Sequence, residues 1–496
     1  MNIRPQLTLD EFLALYAAGP DLAWAVFEEL STRYTALEKR VGAAEARNNA
    51  LQLKVDELTA RLDKDSHNSN KPPSSDGLRK PPASASLRKR SGRKSGGQKG
   101  HPGSTLEYRD DPDEIVEYRP VCCEACSHDL SCVKSVVETR QVFDAPAPRL
   151  KCTQHESHWI TCPKCGKVCR GQFPSHVTSD VQYGENIAAA VVYLVNYQFV
   201  PYRRAVELIR DLFNVSLSEG TVHNMCMRAY SALKDVADRI FKELKVSSVI
   251  NCDETGMRVC GKLHWLHSVS NKEFTAFDCQ QYRGALGMTS MGILPGYMGN
   301  AVHDAWAPYT QFGCSHSLCN VHHLRELTAV YENLQQNWAK DMIDLLYESN
   351  EAVKRAIAAG KTRLSCYMLR KLNRKYDAAI KAGLEANPSL PGARAGREKN
   401  TKSGALVRRL ERDKQKALAF LYNFEIPFGN NLAERDVRMT KVKQKVSGGF
   451  RSLAGARMFC RVRSYISTMN KQGFNIFEVL RSVCRYTPLL PRFSSA

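Results

Sequence analysis

Three runs decide how this chain folds: Val249-Ile-Asn-Cys-Asp-Glu-Thr-Gly-Met-Arg-Val259, Leu263-His-Trp-Leu-His-Ser-Val269 and Phe274-Thr-Ala-Phe-Asp-Cys279. Each is rich in β-branched and aromatic residues. Only Cys260-Gly-Lys262 and a short break at Asn271-Lys272 lie between them. That spacing predicts a three-stranded antiparallel meander from Val246 to Gln280. A helix is expected over Ala285 to Leu294, then a short strand ending at Asp304 and another near Ser315 to Cys319.

Three antiparallel strands, a helix and a further strand match the order of the ribonuclease-H-like fold. In that fold one acid lies on the first strand and another at the end of the fourth, the places of Asp253 and Asp304. Successive strand side chains alternate faces, so Asp253 and Glu254 do not share a site, and Asp253 is the candidate. For Asp304 the structural alternative is the N-cap of a helix beginning Ala305-Trp306. Glu434 completes the set, in Asn430-Asn-Leu-Ala-Glu-Arg-Asp-Val-Arg438, on a helix expected from Asn431 towards Val446. By itself, Glu434 with Arg438 four residues on reads as an ordinary exposed ion pair. Asn430-Asn431 before it and Lys443-Gln-Lys-Val-Ser-Gly-Gly-Phe-Arg451 after it favour a phosphate-facing surface, with Asn431, Arg438, Lys441 and Lys445 as contacts. From Leu324 to Tyr422 the chain is mostly helical, a stretch that separates the second acid from the third as an insertion into the core. Its Arg408-Arg409 pair and its lysines, Lys414 and Lys416, read as solvated charge or as a guide for DNA.

The composition supports a polyanionic partner. Lys and Arg number 71 against 51 Asp and Glu, a formal charge of +20. Basic proteins gain affinity for nucleic acid by releasing counterions from the phosphates they neutralise. Converging carboxylates inside such a protein hold divalent metal against a phosphate backbone, which points to phosphodiester chemistry. Met1-Asn-Ile-Arg-Pro has no apolar leader, and no apolar run is long enough to span a bilayer. The 17 cysteines are scattered and odd in number, which suits a reduced, cytoplasmic protein without a membrane partner.

Upstream, apolar residues recur at Phe27, Leu30, Tyr34, Leu37, Val41, Ala44, Leu51, Val55, Leu58 and Leu62, with Asn48 at an a position. This heptad pattern predicts a parallel two-stranded coiled coil, and hence a homodimer. Ser66 to Gly103 is rich in Pro, Gly and Ser and is expected to be a disordered basic linker. Its Arg88, Lys89, Arg90, Arg93 and Lys94 are candidates for a DNA-backbone arm. Next come Cys123-Glu-Ala-Cys126 and Cys162-Pro-Lys-Cys165, two knuckles that predict one structural zinc ion. Cys122, Cys132, Cys152 and Cys169 lie near enough to leave the ligand set open. Cys314, Cys319, His322 and His323 read as core rather than as a second zinc site. From Pro201 to Phe213 and again from Ser218 the pattern is helical, with Ser218 as N-cap. The pair reads either as a helix-turn-helix exposing Thr221, His223 and Asn224 to a DNA groove, or as a plain helical hairpin.

In combination these motifs resemble the DDE transposases of the bacterial insertion sequence 66 group. The resemblance runs along nearly the whole chain, through Asn68-Ser-Asn-Lys-Pro-Pro-Ser-Ser-Asp76, Gly96-Gly-Gln-Lys-Gly-His-Pro-Gly103, the cysteine knuckles, Cys252-Asp-Glu-Thr255, Cys319-Asn-Val-His-His-Leu-Arg-Glu-Leu327 and Asn430-Asn-Leu-Ala-Glu-Arg435. It implies Asp253, Asp304 and Glu434 as the catalytic acids, holding two Mg²⁺ or Mn²⁺ ions. It further implies double-stranded DNA, both element ends and target, as partner, and leaves open whether accessory proteins of the same element act beside it. Two departures stand out: Gly429 replaces the acid that often precedes the paired asparagines, and His322-His323 stand in a segment that commonly reads Ala-His-Ala-Arg-Arg.

The expected architecture is therefore multidomain α+β. It comprises a helix and coiled coil (1–65), a basic linker (66–104), a zinc ribbon (105–180) and a helix-turn-helix-like domain (181–245). A ribonuclease-H-like core follows in two parts (246–323 and 423–496) around a helical insertion (324–422). Two rival functions remain. A non-catalytic DNA-binding regulator needs no acidic triad. A ribonuclease-H-like nuclease without strand transfer shares the triad, but the DNA-binding equipment upstream favours the transposase.

Overall fold

The computed structural model describes residues 8–62, 106–144, 148, 150–174, 176–389 and 401–493. The proposed arm of Arg88, Lys89, Arg90, Arg93 and Lys94 lies outside them. The chain divides into two compact units, one of residues 1–85, 322–348 and 370–412, the other of 86–321, 349–369 and 413–496. Among the described residues, no helix is long and apolar enough to cross a membrane.

Helix α1 (Leu9–Ala17) opens with a capping box in which Thr8 and Glu11 satisfy each other's backbone N–H. Helix α2 (Pro20–Leu62) is a single 43-residue rod. Phe27, Tyr34, Leu37, Val41, Leu51 and Val55 of its heptad stripe are all exposed in the single chain.

A small hairpin follows, β1 (Trp159–Thr161) against β2 (Val168–Arg170). Helix α3 (Glu185–Val192) runs into a π-helical turn, Tyr193–Tyr197. Helix α4 (Tyr202–Phe213) stops at Asn214, which adopts the left-handed conformation, φ 53°. Ser218 then caps α5 (Glu219–Ala232) by accepting the Thr221 N–H, and α6 (Lys234–Val246) leads into the sheet.

The strands are β3 (Val249–Val259), β4 (Lys262–Ser270), β5 (Thr275–Gln280), β6 (Asn300–His303) and β7 (Ser315–Leu318), with α7 (Ala285–Met291) between β5 and β6. Their order across the sheet is β5-β4-β3-β6-β7. The meander read from sequence is antiparallel, and β6 and β7 add in parallel beside β3.

The insertion contributes α8 (Asn320–Leu334), α9 (Asn337–Ala358), α10 (Cys366–Ala386) and α11 (Lys402–Arg412), followed by the single turn α12 (Lys414–Ala417). Within the first unit, a Cβ on Gly383 would meet Val407 at 2.6 Å and the Trp338 ring at 2.9 Å, so only glycine permits that helix approach. Arg408 donates to the carbonyls of Gly404 and Asn387, and Arg409 pairs with Glu326. Those arginines, for which the sequence leaves solvated charge or a guide for DNA, tie the insertion together.

The chain ends with α13 (Asn431–Ser447), α14 (Leu453–Lys471) and α15 (Ile476–Cys484). Helix α14 covers the sheet edge: Ser464 and Thr468 accept the N–H groups of Phe277 and Thr275 on β5 at 2.8 and 3.0 Å. Buried side chains of α3, α5, α6, α14 and α15 form one continuous core with Ile250, Cys252, Val269 and Ala276 of the sheet. The helix-turn-helix-like segment is thus packed into the same body as the strands that carry the acids.

Candidate active site

Asp253 and Asp304 are brought level by strand register. On β3 and β6, Val249 lies opposite Asn300, Ile250 opposite Ala301 and Asn251 opposite Val302. Continuing that pairing by two residues sets Asp304, the first residue past β6, beside Asp253 and on the same face. Beyond it the chain turns sharply at Ala305, φ +67°. A non-glycine residue held there costs about 1–3 kcal/mol. Asp304 Oδ1 accepts the Trp306 N–H at 3.0 Å and His303 Nδ1 accepts the Ala305 N–H at 3.2 Å, which hold the turn closed.

Glu434 arrives from the other part of the second unit, on α13. That helix is pinned over β3 by the buried Asn430. Its Nδ2 donates to the Cys252 carbonyl at 2.7 Å, its Oδ1 accepts from Asn251 Nδ2 at 2.9 Å, and its N–H donates to Cys319 Sγ at 3.1 Å. Glu434 lies one helical turn further on, in the first turn of α13, where unpaired backbone N–H dipoles favour a carboxylate.

All three acids are half-buried. Burial, and then the negative charges of Glu254, Glu434 and Asp304, push the Asp253 carboxyl well above the usual carboxylate range. Asp304 and Glu434 therefore each act electrostatically on Asp253, as does Glu254. Its side chain is 1% exposed and bound by Arg283 and by the Tyr309 hydroxyl. Burial, followed by the charge of Asp304, raises its carboxyl too, while Tyr309 and Arg283 pull it back. Asp253 thus feels three further carboxylates, of which Glu254 is matched by an arginine. Among the described residues, Asp253, Asp304 and Glu434 do not meet as a group of three ligand atoms within 4.8 Å of one another, so a shared ion would have to draw these carboxylates closer; their charge and oxygen donors are of the kind a hard divalent cation takes.

Past Glu434, the exposed Arg438, Lys441 and Lys445 continue one stripe of α13 at helical spacing. Lys441 Nζ donates to the Gly256 carbonyl at 2.6 Å, close to the strand that carries Asp253. Asn431 is exposed at the start of the helix. Lys443, between these, is half-buried with its ammonium 4.0 Å from the Phe450 ring, and burial lowers it to about 8.

On α5, Asn224 is exposed, whereas Thr221 and His223 are half-buried. His223 faces the Tyr202 ring of α4 at 6.3 Å, so part of this surface is occupied by helix packing. The two cysteine knuckles fold as copies of one turn. Cys123 donates to the His128 carbonyl and accepts from Ser127 through its own; Cys162 does the same with Lys167 and Gly166. Ser127 and Gly166 both sit at positive φ, 56° and 70°. Backbone N–H groups of Ala125 and Cys126, and the Cys126 side chain, lower the Cys123 thiol; those of Cys165 and Lys164, and the Cys165 side chain, lower Cys162. Each turn thus favours the deprotonated form of its first cysteine. The two turns are not brought to a common centre: among the described residues, no three of these sulfurs gather within 4.8 Å.

The family model for the transposase IS66 family matches residues 180–458, more than half of the chain and all three acids. The chain belongs to the IS66 family of transposases. A family of unknown function (DUF6444) matches residues 19–107. No curated protein matches the chain. Among solved structures, a chain of the Drosophila P element transposase strand transfer complex is similar at 10% identity and a TM-score of 0.31, over 60% of this chain and 94% of that one.

Two residues of this IS66-family transposase gain a physical account from the fold. A Cβ on Gly429 would meet Val321 Cγ2 at 2.7 Å, so any side chain there requires Val321 to shift. The sequence pattern points to Asn431, whereas Asn430 is the asparagine that fastens α13 to β3. The doubled asparagine was the available signal. Deciding which of the two faces inward required the helix phase.

Proposed function

We propose that this transposase cuts DNA at the ends of an insertion sequence and joins the ends to a target, using Asp253, Asp304 and Glu434 to hold two Mg²⁺ or Mn²⁺ ions. The observation that carries the reading is geometric: the β3–β6 register sets Asp304 beside Asp253, and Asn430 fastens the helix of Glu434 to the same strand. The strand order β5-β4-β3-β6-β7, with β6 and β7 parallel to β3, supports a ribonuclease-H-like core. When bound, the ions supply charge stabilisation to the attacking and leaving oxygens of phosphoryl transfer.

The chain's own groups do the rest. The three carboxylates would hold the ions, and the ions would offset the repulsion between these acids and the reacting phosphate. Asn431, Arg438, Lys441 and Lys445 line α13 and take the DNA backbone leading into it. Arg88, Lys89, Arg90, Arg93 and Lys94, together with Thr221, His223 and Asn224, contact DNA away from the cut. Thiolates suit zinc as carboxylates suit magnesium, so Cys123, Cys126, Cys162 and Cys165 hold one structural zinc and join the two knuckles. The exposed stripe of α2 pairs with a second copy across two element ends.

The experiment is a cleavage and joining assay with the full chain, an end-containing duplex and Mg²⁺. Asp253→Asn, Asp304→Asn and Glu434→Gln should each abolish both steps. Retention of both by all three variants would abandon the reading, and cleavage without joining by the wild type would make it a nuclease.

A further inference from the structure

Glu254 is the acid that the strand alternation turns away from Asp253, and its surroundings give it a different task. Its Oε1 accepts from Arg283 Nε and Nη2 at 3.1 and 2.8 Å, and its Oε2 accepts the Tyr309 hydroxyl at 2.8 Å. The Arg283 guanidinium lies over two indoles, Trp265 of β4 at 4.8 Å and Trp306 at 4.1 Å. Tyr309 in turn stacks on His303 with ring centroids 4.4 Å apart. A buried carboxylate is costly unless paired and fully hydrogen-bonded, and both of its oxygens are engaged.

These contacts converge on one short segment. Asp304 stands between His303, held by Tyr309, and Trp306, held by Arg283, and its own Oδ1 takes the Trp306 N–H. Gly287 helps to fix the Arg283 side: a Cβ there would meet the Tyr282 carbonyl at 2.2 Å and His267 Nε2 at 2.5 Å, so the turn before α7 lies tight against β4. The backbone of the Asp304 turn is strained at Ala305 and needs such support.

We propose that Glu254 is a positioning residue which, through Tyr309 and Arg283, locks the loop carrying Asp304 in register with the strand carrying Asp253. This rests on the reading of Asp304 as a metal-holding carboxylate. Groups that orient a ligand typically alter metal affinity by about 10–100-fold when removed. Tyr309→Phe deletes one hydrogen bond and leaves the Arg283 pair intact; Glu254→Gln keeps the shape and removes the charge.

The test titrates Mn²⁺ into the DNA-free full chain, with its zinc in place, by calorimetry, alongside melting temperature and cleavage kinetics. Tyr309→Phe should weaken Mn²⁺ binding by about ten-fold. It should also lower kcat while leaving KM for DNA unchanged, recover its rate in excess Mn²⁺, and melt close to the wild type. Asp304→Asn separates the two levels of argument. If it binds Mn²⁺ as tightly as the wild type, the metal reading fails and the brace fails with it. If it loses the ion while Tyr309→Phe and Glu254→Gln both bind like the wild type, the brace alone is overturned.

Discussion

The side-chain amide of Asn251 donates to Oδ1 of Asn430 at 2.9 Å, and both residues are buried. Asp253 lies two residues beyond Asn251 on the same face of β3, and Glu434 lies one turn beyond Asn430 on α13. This one bond therefore sets the register in which a strand acid and a helix acid approach. Asn430→Ala would strand the Asn251 amide and the Cys252 carbonyl, at a cost of about 1–3 kcal/mol. Urea unfolding should show that loss, while exposed Asn431→Ala stays within about 0.5 kcal/mol of wild type. Cleavage by Asn430→Ala should fall through kcat; an unchanged kcat would remove the bond from the account.

Gly429 gives a second test of the same junction. Its missing Cβ leaves the space that Val321 Cγ2 fills. Gly429→Ala should destabilise the protein by about 1–3 kcal/mol through overpacking. Val321→Ala in the same chain should return part of that loss, so the double-mutant cycle reads a coupling of opposite sign to the single effects. Additive effects would show that the crowding is relieved elsewhere.

What sequence reading captured and missed divides along physical lines. The meander was legible because alternation and turn residues act over a few positions. The cap at Ser218 and both knuckle turns were legible for the same reason. Asn430 was not, because its partners Asn251 and Cys252 are remote in sequence and a buried polar contact leaves no periodic trace. Strand alternation sets Glu254 apart from Asp253, but nothing local announces that Arg283 and Tyr309 meet it. The helical segment before the sheet was expected to stand as its own domain. Its amphipathic faces do not reveal that the apolar partner is α14, whereas the core does.

Stability of the metal-free protein should depend on pH through Asp253. Its folded carboxyl is raised by burial and by Glu254, Glu434 and Asp304, so the folded state holds a proton that the unfolded chain releases. The corresponding stability is present below the unfolded carboxylate range and is lost as pH rises through the raised folded value. Asp253→Asn removes that loss. It should stabilise the metal-free protein at pH 7.5 by on the order of 1 kcal/mol, with the gain shrinking towards pH 4. Melting curves at both pH values check the sign; a variant less stable at pH 7.5 would contradict it.

The uncovered stripe of α2 makes a prediction about assembly. Leu37 and Val41 are about half exposed in the single chain, at 53% and 49%, so charges placed there disturb little within one copy. In a parallel pair they would face each other across the seam. Leu37→Lys with Val41→Lys should convert a dimer to a monomer by light scattering and reduce helicity. A monomeric wild type would leave the stripe without its proposed partner.

The knuckles offer the sharpest chemical test. Cys123 and Cys162 begin turns with the same pair of backbone hydrogen bonds, and in each the following N–H groups favour the thiolate. One tetrahedral zinc needs two sulfurs from each turn, so the metal itself would draw the turns together and contribute folding energy to the segment around them. The freshly reduced wild type should carry one zinc per chain. Cys123→Ser or Cys162→Ser should each lose it, because three thiolates on two separate turns no longer close the site. Two zinc ions per chain, or full retention by both variants, would mean that the turns bind independently or through other cysteines. A zinc-free wild type would leave two well-formed turns with no metal to join them.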